Sequence, residues 1–154
     1  MTIILTIVFL LLDIISKFIV KKYLILNQSK VIIKNFFNLT YVKNTGAAFS
    51  IFSNSTLLVI IVSLIIIMMI ILYVYKNKGT KKLEKISYAL ILGGAIGNLI
   101  DRIIHGYVID FLDFYIFGYN YPIFNLADVF IVAGVIILLI EMGVCYGIKG
   151  NGRK

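Results

Sequence analysis

Charge is scarce in this chain. Charged residues make up 14% of its 154 residues and apolar residues 61%, against about 25% and about 45–50% in soluble domains. A fold of this size in water needs more polar residues to cover its surface, and a disordered chain needs more still. Both classes are excluded, and an integral membrane protein is indicated. Cysteine occurs once, at Cys145, so no intramolecular disulfide can form. Histidine occurs once, at His105, which argues against a histidine-based metal site. Acidic residues number 7 against 15 Lys+Arg, a formal charge of +8. The basic excess is not built like a nucleic-acid surface: no glycine-rich phosphate loop is present, and aromatics are not set among basic residues on a polar face. No nucleic acid is expected as a partner, and membrane topology explains the lysines better. The length is that of one domain, 1–154.

What the chain has in quantity is apolar runs. A helix needs about 20 apolar residues to cross the bilayer core. Leu57–Tyr75 offers 19 residues without a charge. Three further spans carry charge: 2–20 holds Asp13 and Lys17, 86–104 meets Asp101 and Arg102, and 126–148 contains Asp128 and Glu141. The first span is read as a retained helix, because it has no basic leading region, holds two charges and is followed by no small-residue cleavage site. Four spans put both termini on one side. That side carries Lys76, Lys78, Lys81, Lys82, Lys85, Lys149, Arg153 and Lys154, and the other carries Lys21, Lys22, Lys30, Lys34 and Lys43. The imbalance places both termini in the cytoplasm.

Two segments then face outward. Residues 28–55 are rich in β-branched and aromatic side chains, with a turn signal at Asn44-Thr45-Gly46, and predict a few short strands outside the hydrocarbon. Residues 105–125 concentrate Tyr107, Phe111, Phe114, Tyr115, Phe117, Tyr119, Tyr121 and Phe124, which suits the membrane–water interface. The expected fold is integral membrane and α-helical: four transmembrane helices, a small extracytoplasmic β-rich segment and an interfacial aromatic loop.

Depth arithmetic gathers the polar residues into one layer. At about 1.5 Å per residue, Asp13 lies roughly 17 Å along the first helix, past the midplane and toward the outside. Asn98, Asp101 and Arg102, at i, i+3 and i+4, share a face at the outer end of the third helix. Asp110 follows just beyond, and Asn125 and Asp128 open the fourth helix from the same side. Glu141 lies roughly 20 Å from Asp128 along that helix and cannot share the layer. Ionisable groups at this depth mark a pathway, a pair or a reaction centre.

Each has a bland alternative. Asp13 and Lys17, at i, i+4, suit an intrahelical ion pair or an interhelical contact. Asp101 and Arg102 suit a structural ion pair. Asn98 and Asn125 suit hydrogen-bond glue between helices, and Asn125 also suits a plain N-cap. Asp128 in a first helical turn is favoured by the helix dipole. Asp110 is harder to dismiss, because its surroundings are apolar and no basic residue lies nearby in sequence; Asp113 in the same run competes with it. His105 reads as an interfacial polar residue, Cys145 as packing, and Gly93, Gly94 and Gly97 as close helix contact. A Ser50 pairing with Lys43 or Lys17 has no spacing argument behind it.

Two carboxylates held close cannot both ionise easily, so they share one proton. The charged member takes a proton from water while the protonated member donates to a peptide carbonyl, which hydrolyses an amide without a metal or cofactor. No other hydrolytic apparatus is offered by the composition. A proton-coupled carrier or small channel, and a noncatalytic membrane subunit, are the competing classes. A carrier's relay should cross the membrane, yet the middle of every span has no matching chain of acids.

Five blocks carry a resemblance: Asp13-Ile-Ile-Ser-Lys17, Asn44-Thr-Gly-Ala-Ala-Phe-Ser50, Gly93-Gly-Ala-Ile-Gly-Asn-Leu-Ile-Asp-Arg102, Val108-Ile-Asp-Phe111 and Phe124-Asn-Leu-Ala-Asp-Val129. Together and in this order they resemble the motif set of lipoprotein signal peptidase, or signal peptidase II, over nearly the whole chain. The resemblance implies an aspartic endopeptidase of the bacterial cytoplasmic membrane, with Asp110 and Asp128 catalytic, which chooses Asp110 over Asp113. It implies that Asn44, Asn98, Arg102 and Asn125 line or shape the site, and that Asp13, Lys17 and Asp101 support the architecture. The implied substrate is a prolipoprotein carrying a diacylglyceryl cysteine, cleaved just before that cysteine among membrane lipid. It also implies inhibition by globomycin-type cyclic peptides, no cofactor and no metal; a monomer is expected.

Overall fold

The computed structural model describes residues 1–46, 56–77 and 81–151, with side chains as far as Gly143. Residues 47–55 of the outward segment, with Ser50, and the Cys145 side chain lie outside the described residues. The elements run α1 (Thr2–Tyr23), β1 (Ser29–Ile33), β2 (Phe37–Asn44), α2 (Thr56–Lys76), α3 (Lys82–His105), β3 (Val108–Ile116), β4 (Tyr119–Asn120) and α4 (Leu126–Asn151). All four helices are long and apolar enough to cross a membrane. Their ends outrun the apolar runs by a few residues, as at Lys21 and Lys22 of α1. Backbone hydrogen bonding continues into charged turns that already lie beyond the hydrocarbon.

Helix α3 is the central member. Most of it is buried against α1, α2 and α4, whereas those three turn most of their surface outward. Their outward faces carry Ile3, Ile4, Phe18, Leu57, Met68, Val132 and Leu139 exposed. Such a surface suits lipid and would aggregate in water. Small residues let α3 lie this close. A β-carbon on Gly94 would stand 2.3 Å from the Ala127 carbonyl oxygen of α4, and one on Gly93 would stand 2.7 Å from Cβ of Phe9 in α1. Helix α3 ends at Gly106, whose φ of 78° is a conformation glycine adopts without strain. The chain reverses there into β3.

The strands form one antiparallel sheet in the order β1-β2-β3-β4. The aromatic segment is therefore not only a loop: Val108–Ile116, dense in β-branched and aromatic residues, pairs with β2. A register shift between Leu39 and Val42 bends β2 where it passes β3. Val20 of α1 packs with Tyr41, Ile109 and Phe111 of the sheet, which seats it on the end of the helices. At the other end of the bundle, Lys81 Nζ lies 2.5 Å from Glu141 Oε1, far from the acidic layer as depth arithmetic requires.

Candidate active site

Three local features bring the polar layer together. The first is the α4 N-terminus. Asn125 precedes the helix, and its Oδ1 accepts from the Asp128 backbone N–H (3.0 Å) while Asp128 Oδ2 accepts from the Asn125 backbone N–H (3.2 Å). This is a capping box written with Asn and Asp, and it locks the Asp128 carboxylate. The second is the edge of β3. The Phe124 carbonyl accepts from the backbone N–H of both Phe111 (2.9 Å) and Leu112 (2.8 Å), which moors the start of α4 beside Asp110. The third is the β2–β3 register. Val108 pairs with Asn44 and Asp110 with Val42, so Asn44 and Asp110 are diagonal neighbours on one face.

The same register separates the two candidate acids of β3. Residues three apart on a strand point to opposite faces. Asp110 turns toward Asn44 and Asn125, while Asp113 pairs with Asn38 and accepts from Thr40 Oγ1 at 2.6 Å. Asp113 is thus removed from Asp128.

Asp110 is 1% exposed. Its Oδ1 accepts from Asn125 Nδ2 (2.6 Å) and its Oδ2 from Asn44 Nδ2 (2.8 Å). Asp128 Oδ1 accepts from Asn98 Nδ2 (2.8 Å). Asn125 therefore bonds both carboxylates, by its side chain to one and its backbone to the other. Burial, followed by the nearby Asp128 charge, pushes the Asp110 carboxyl up to about 7; the Asn44 and Asn125 donors and the Lys17 cation pull it partly back. Asp110 is thus disposed to hold a proton near neutral pH.

Both carboxylates line a cavity of about 670 Å³, together with Asn44, Asn98 and Arg102. Arg102 reaches across to the Gly46 carbonyl (2.9 Å) and back to the Asn98 carbonyl (3.3 Å), bracing the loop after β2. One wall is apolar: Ile131, Val132 and Ile136 on α4. In the sequence they stand out only as part of the fourth apolar span. Their offsets of three, four and eight residues from Asp128 put them on its helix face, a signal the sequence does contain.

Asp13, Lys17 and Asp101 lie behind this site. Lys17 Nζ is 2.7 Å from Asp13 Oδ2, 3.0 Å from Asp101 Oδ2 and 3.0 Å from Asn98 Oδ1. Asp13 Oδ1 accepts the Ala127 backbone N–H of α4 (3.0 Å), and Asp101 Oδ2 accepts that of Ile109 at the start of β3 (3.2 Å). Each acid ties the helix bundle to one of the aspartate-bearing elements. The pairing of Asp101 with Arg102 expected from their adjacency is replaced by the ion pair to Lys17, because neighbours on a helix point in different directions. His105 lies at the end of α3, with Nε2 3.3 Å from Lys21 Nζ, outside the cavity lining.

A family model described as signal peptidase (SPase) II matches residues 5–144. The lipoprotein signal peptidase of Clostridium tetani is 43% identical over 141 residues, covering 91% of this chain and 90% of its own. That of Pasteurella multocida is 44% identical over 135 residues, covering 85% and 81%. Among solved structures, a bacterial membrane enzyme superposes with a TM-score of 0.88 at 31% identity, over 99% of this chain and 91% of its own. Another does so with a TM-score of 0.83 at 33% identity, over 92% and 91%. The matched region holds Asp110 and Asp128 and reaches all four helices, so this multi-pass membrane protein belongs to the signal peptidase II family of aspartic peptidases.

Proposed function

We propose that Asp110 and Asp128 form a catalytic dyad that cleaves a diacylglyceryl-modified prolipoprotein just before its lipidated cysteine. Family membership makes the chain a lipoprotein signal peptidase, which removes signal peptides from prolipoproteins. What supports the dyad is the double use of Asn125: one residue bonds both carboxylates at the wall of the cavity.

The chemistry follows from the protonation asymmetry. Burial favours the protonated form of Asp110 near and below neutral pH, so Asp110 enters the proposed cycle as the acid and Asp128 as the base. Asp128 removes a proton from a water molecule as its oxygen attacks the scissile carbonyl carbon. Asp110 gives its proton to the carbonyl oxygen, which yields a neutral gem-diol. Collapse of the gem-diol breaks the C–N bond, and the proton held by Asp128 passes to the leaving nitrogen. One diol hydroxyl returns its proton to Asp110. The products are a carboxyl terminus on the signal peptide and a free amino terminus on the cysteine, and the dyad is regenerated.

The apolar α4 wall suits the signal peptide or an acyl chain, and the lipid anchor sets the scissile bond at the depth of the carboxylates. In this account both termini are cytoplasmic, the sheet and dyad face outward, and a monomer with no cofactor suffices. A globomycin-type cyclic peptide would compete for the same cavity. The test is purified protein with lipidated and unlipidated precursor side by side. Free signal peptide is expected from the lipidated precursor alone, without a partner protein or ion gradient. Equal cleavage of both would remove the lipid from the account, and a requirement for a gradient would point to a transporter.

A further inference from the structure

We propose that Lys17 is a positioning residue for the dyad: its ammonium fixes the side-chain amides of Asn98 and Asn125 in the orientation that gives each carboxylate an N–H donor. This inference rests on the two-aspartate reading. It assigns to Lys17 a role distinct from packing or charge balance.

The geometry carries it link by link. Lys17 is 3% exposed and its ammonium is a donor only. It points at Asn98 Oδ1 (3.0 Å), so the carbonyl end of that amide must face it. The NH2 end is then committed to Asp128 Oδ1 (2.8 Å). Asn98 Oδ1 also accepts from Asn125 Nδ2 (3.1 Å), which, together with the Asp128 backbone N–H on Asn125 Oδ1 (3.0 Å), commits the Asn125 amide and sends an N–H to Asp110 Oδ1 (2.6 Å). Turning the Asn98 amide over would set donor against donor at Lys17 and acceptor against acceptor at Asp128. A single cation thus polarises a chain of two amides ending on two carboxylates. With Asn44 and the Asn125 backbone N–H, each of the four dyad oxygens receives one donor.

The charges facing Lys17 are Asp13 from its own helix and Asp101 from α3, with His105 on the far side of Asp101 (Nδ1–Oδ1 3.9 Å). From α4 and β3, Asp128 and Asp110 are joined to it by hydrogen bonds through the amides, and its charge also acts on Asp110 through space. A purely structural lysine would exist to neutralise Asp13 and Asp101. A positioning lysine would still be missed after those charges were gone. The Lys17 cation also opposes the burial that raises the Asp110 carboxyl, so its removal has a signed effect on the pH profile.

The deciding protein is the full chain with Asp13→Asn, Lys17→Met and Asp101→Asn together. Both asparagines keep a carbonyl for the Ala127 and Ile109 N–H groups, and no charge is left unpaired. A stably folded variant is expected, with kcat on lipidated precursor lowered roughly tenfold to a hundredfold and KM little changed. Wild-type kcat in the folded variant, or a loss carried by KM alone, overturns the inference. If the triple variant does not fold, Lys17→Arg and Lys17→Gln decide. Arginine, again donors only, should keep the wild-type limb; glutamine, which can offer either end of its amide, should lose roughly tenfold and shift it. Equal kcat and equal profiles in the two overturn the inference. Asp110→Asn and Asp128→Asn run alongside: turnover in either overturns the dyad itself, whereas inactive aspartate variants beside a wild-type-like triple variant overturn only the role of Lys17.

Discussion

Removing the Asn44 side chain perturbs the proton on Asp110 while leaving the helix bundle alone. Asn44 Nδ2 donates to Asp110 Oδ2 at 2.8 Å, a bond that favours the ionised carboxylate. A hydrogen bond to a charged group contributes about 1.5–3 kcal/mol, and one pKa unit corresponds to about 1.4 kcal/mol. Asn44→Ala should therefore raise the Asp110 carboxyl by roughly one to two units. Asp110 acts as the acid in its protonated form, so wild-type kcat/KM should fall as pH rises through about 7. In Asn44→Ala the fall should begin roughly one to two units higher, so the ratio of variant to wild-type activity climbs with pH across that window. The assay is a pH profile of kcat/KM on lipidated precursor. A limb that stays in place, or moves to lower pH, refutes the assignment of the proton. The same shift has a sign for stability. Between the ordinary value of 3.8 and about 7 the unfolded chain sheds this proton and the folded chain keeps it. The contribution of Asp110 to stability therefore declines with rising pH over that range and is constant above it.

Two further outcomes follow from the geometry. Asp113→Asn should retain most activity, because Asp113 lies on the opposite face of β3 among Asn38 and Thr40; complete loss in a folded protein would mean the wrong acid was chosen. Gly94→Ala should lower the thermal midpoint in detergent and reduce cleavage, since the added carbon meets the Ala127 carbonyl oxygen at 2.3 Å, one residue from Asp128; wild-type stability would show that α3 and α4 can separate freely there.

The helices were legible because lipid imposes a length on every span and tolerates few charges within it. The acidic layer was legible for a related reason: a fixed rise per residue turns sequence position into depth. The choice between Asp110 and Asp113 was not open to residue-level reasoning. It depends on which face of β3 meets Asn44, and that is set by a pairing register and a bulge in a strand some 66 residues away in sequence. The Asp13–Lys17 pair was visible as an i, i+4 spacing, but the second and third partners of Lys17, Asp101 and Asn98, come from another helix. The aromatic segment carried both an interfacial composition and strong β propensity, and the free edge of β2 decided in favour of a strand.

The central claim is that hydrolysis needs both carboxylates of one pair. Its most direct measurement is cleavage of lipidated precursor by Asp110→Asn and by Asp128→Asn, each purified and shown to be folded by its thermal transition in detergent. No signal peptide above background from either variant is the result expected here; sustained turnover by either one would contradict it.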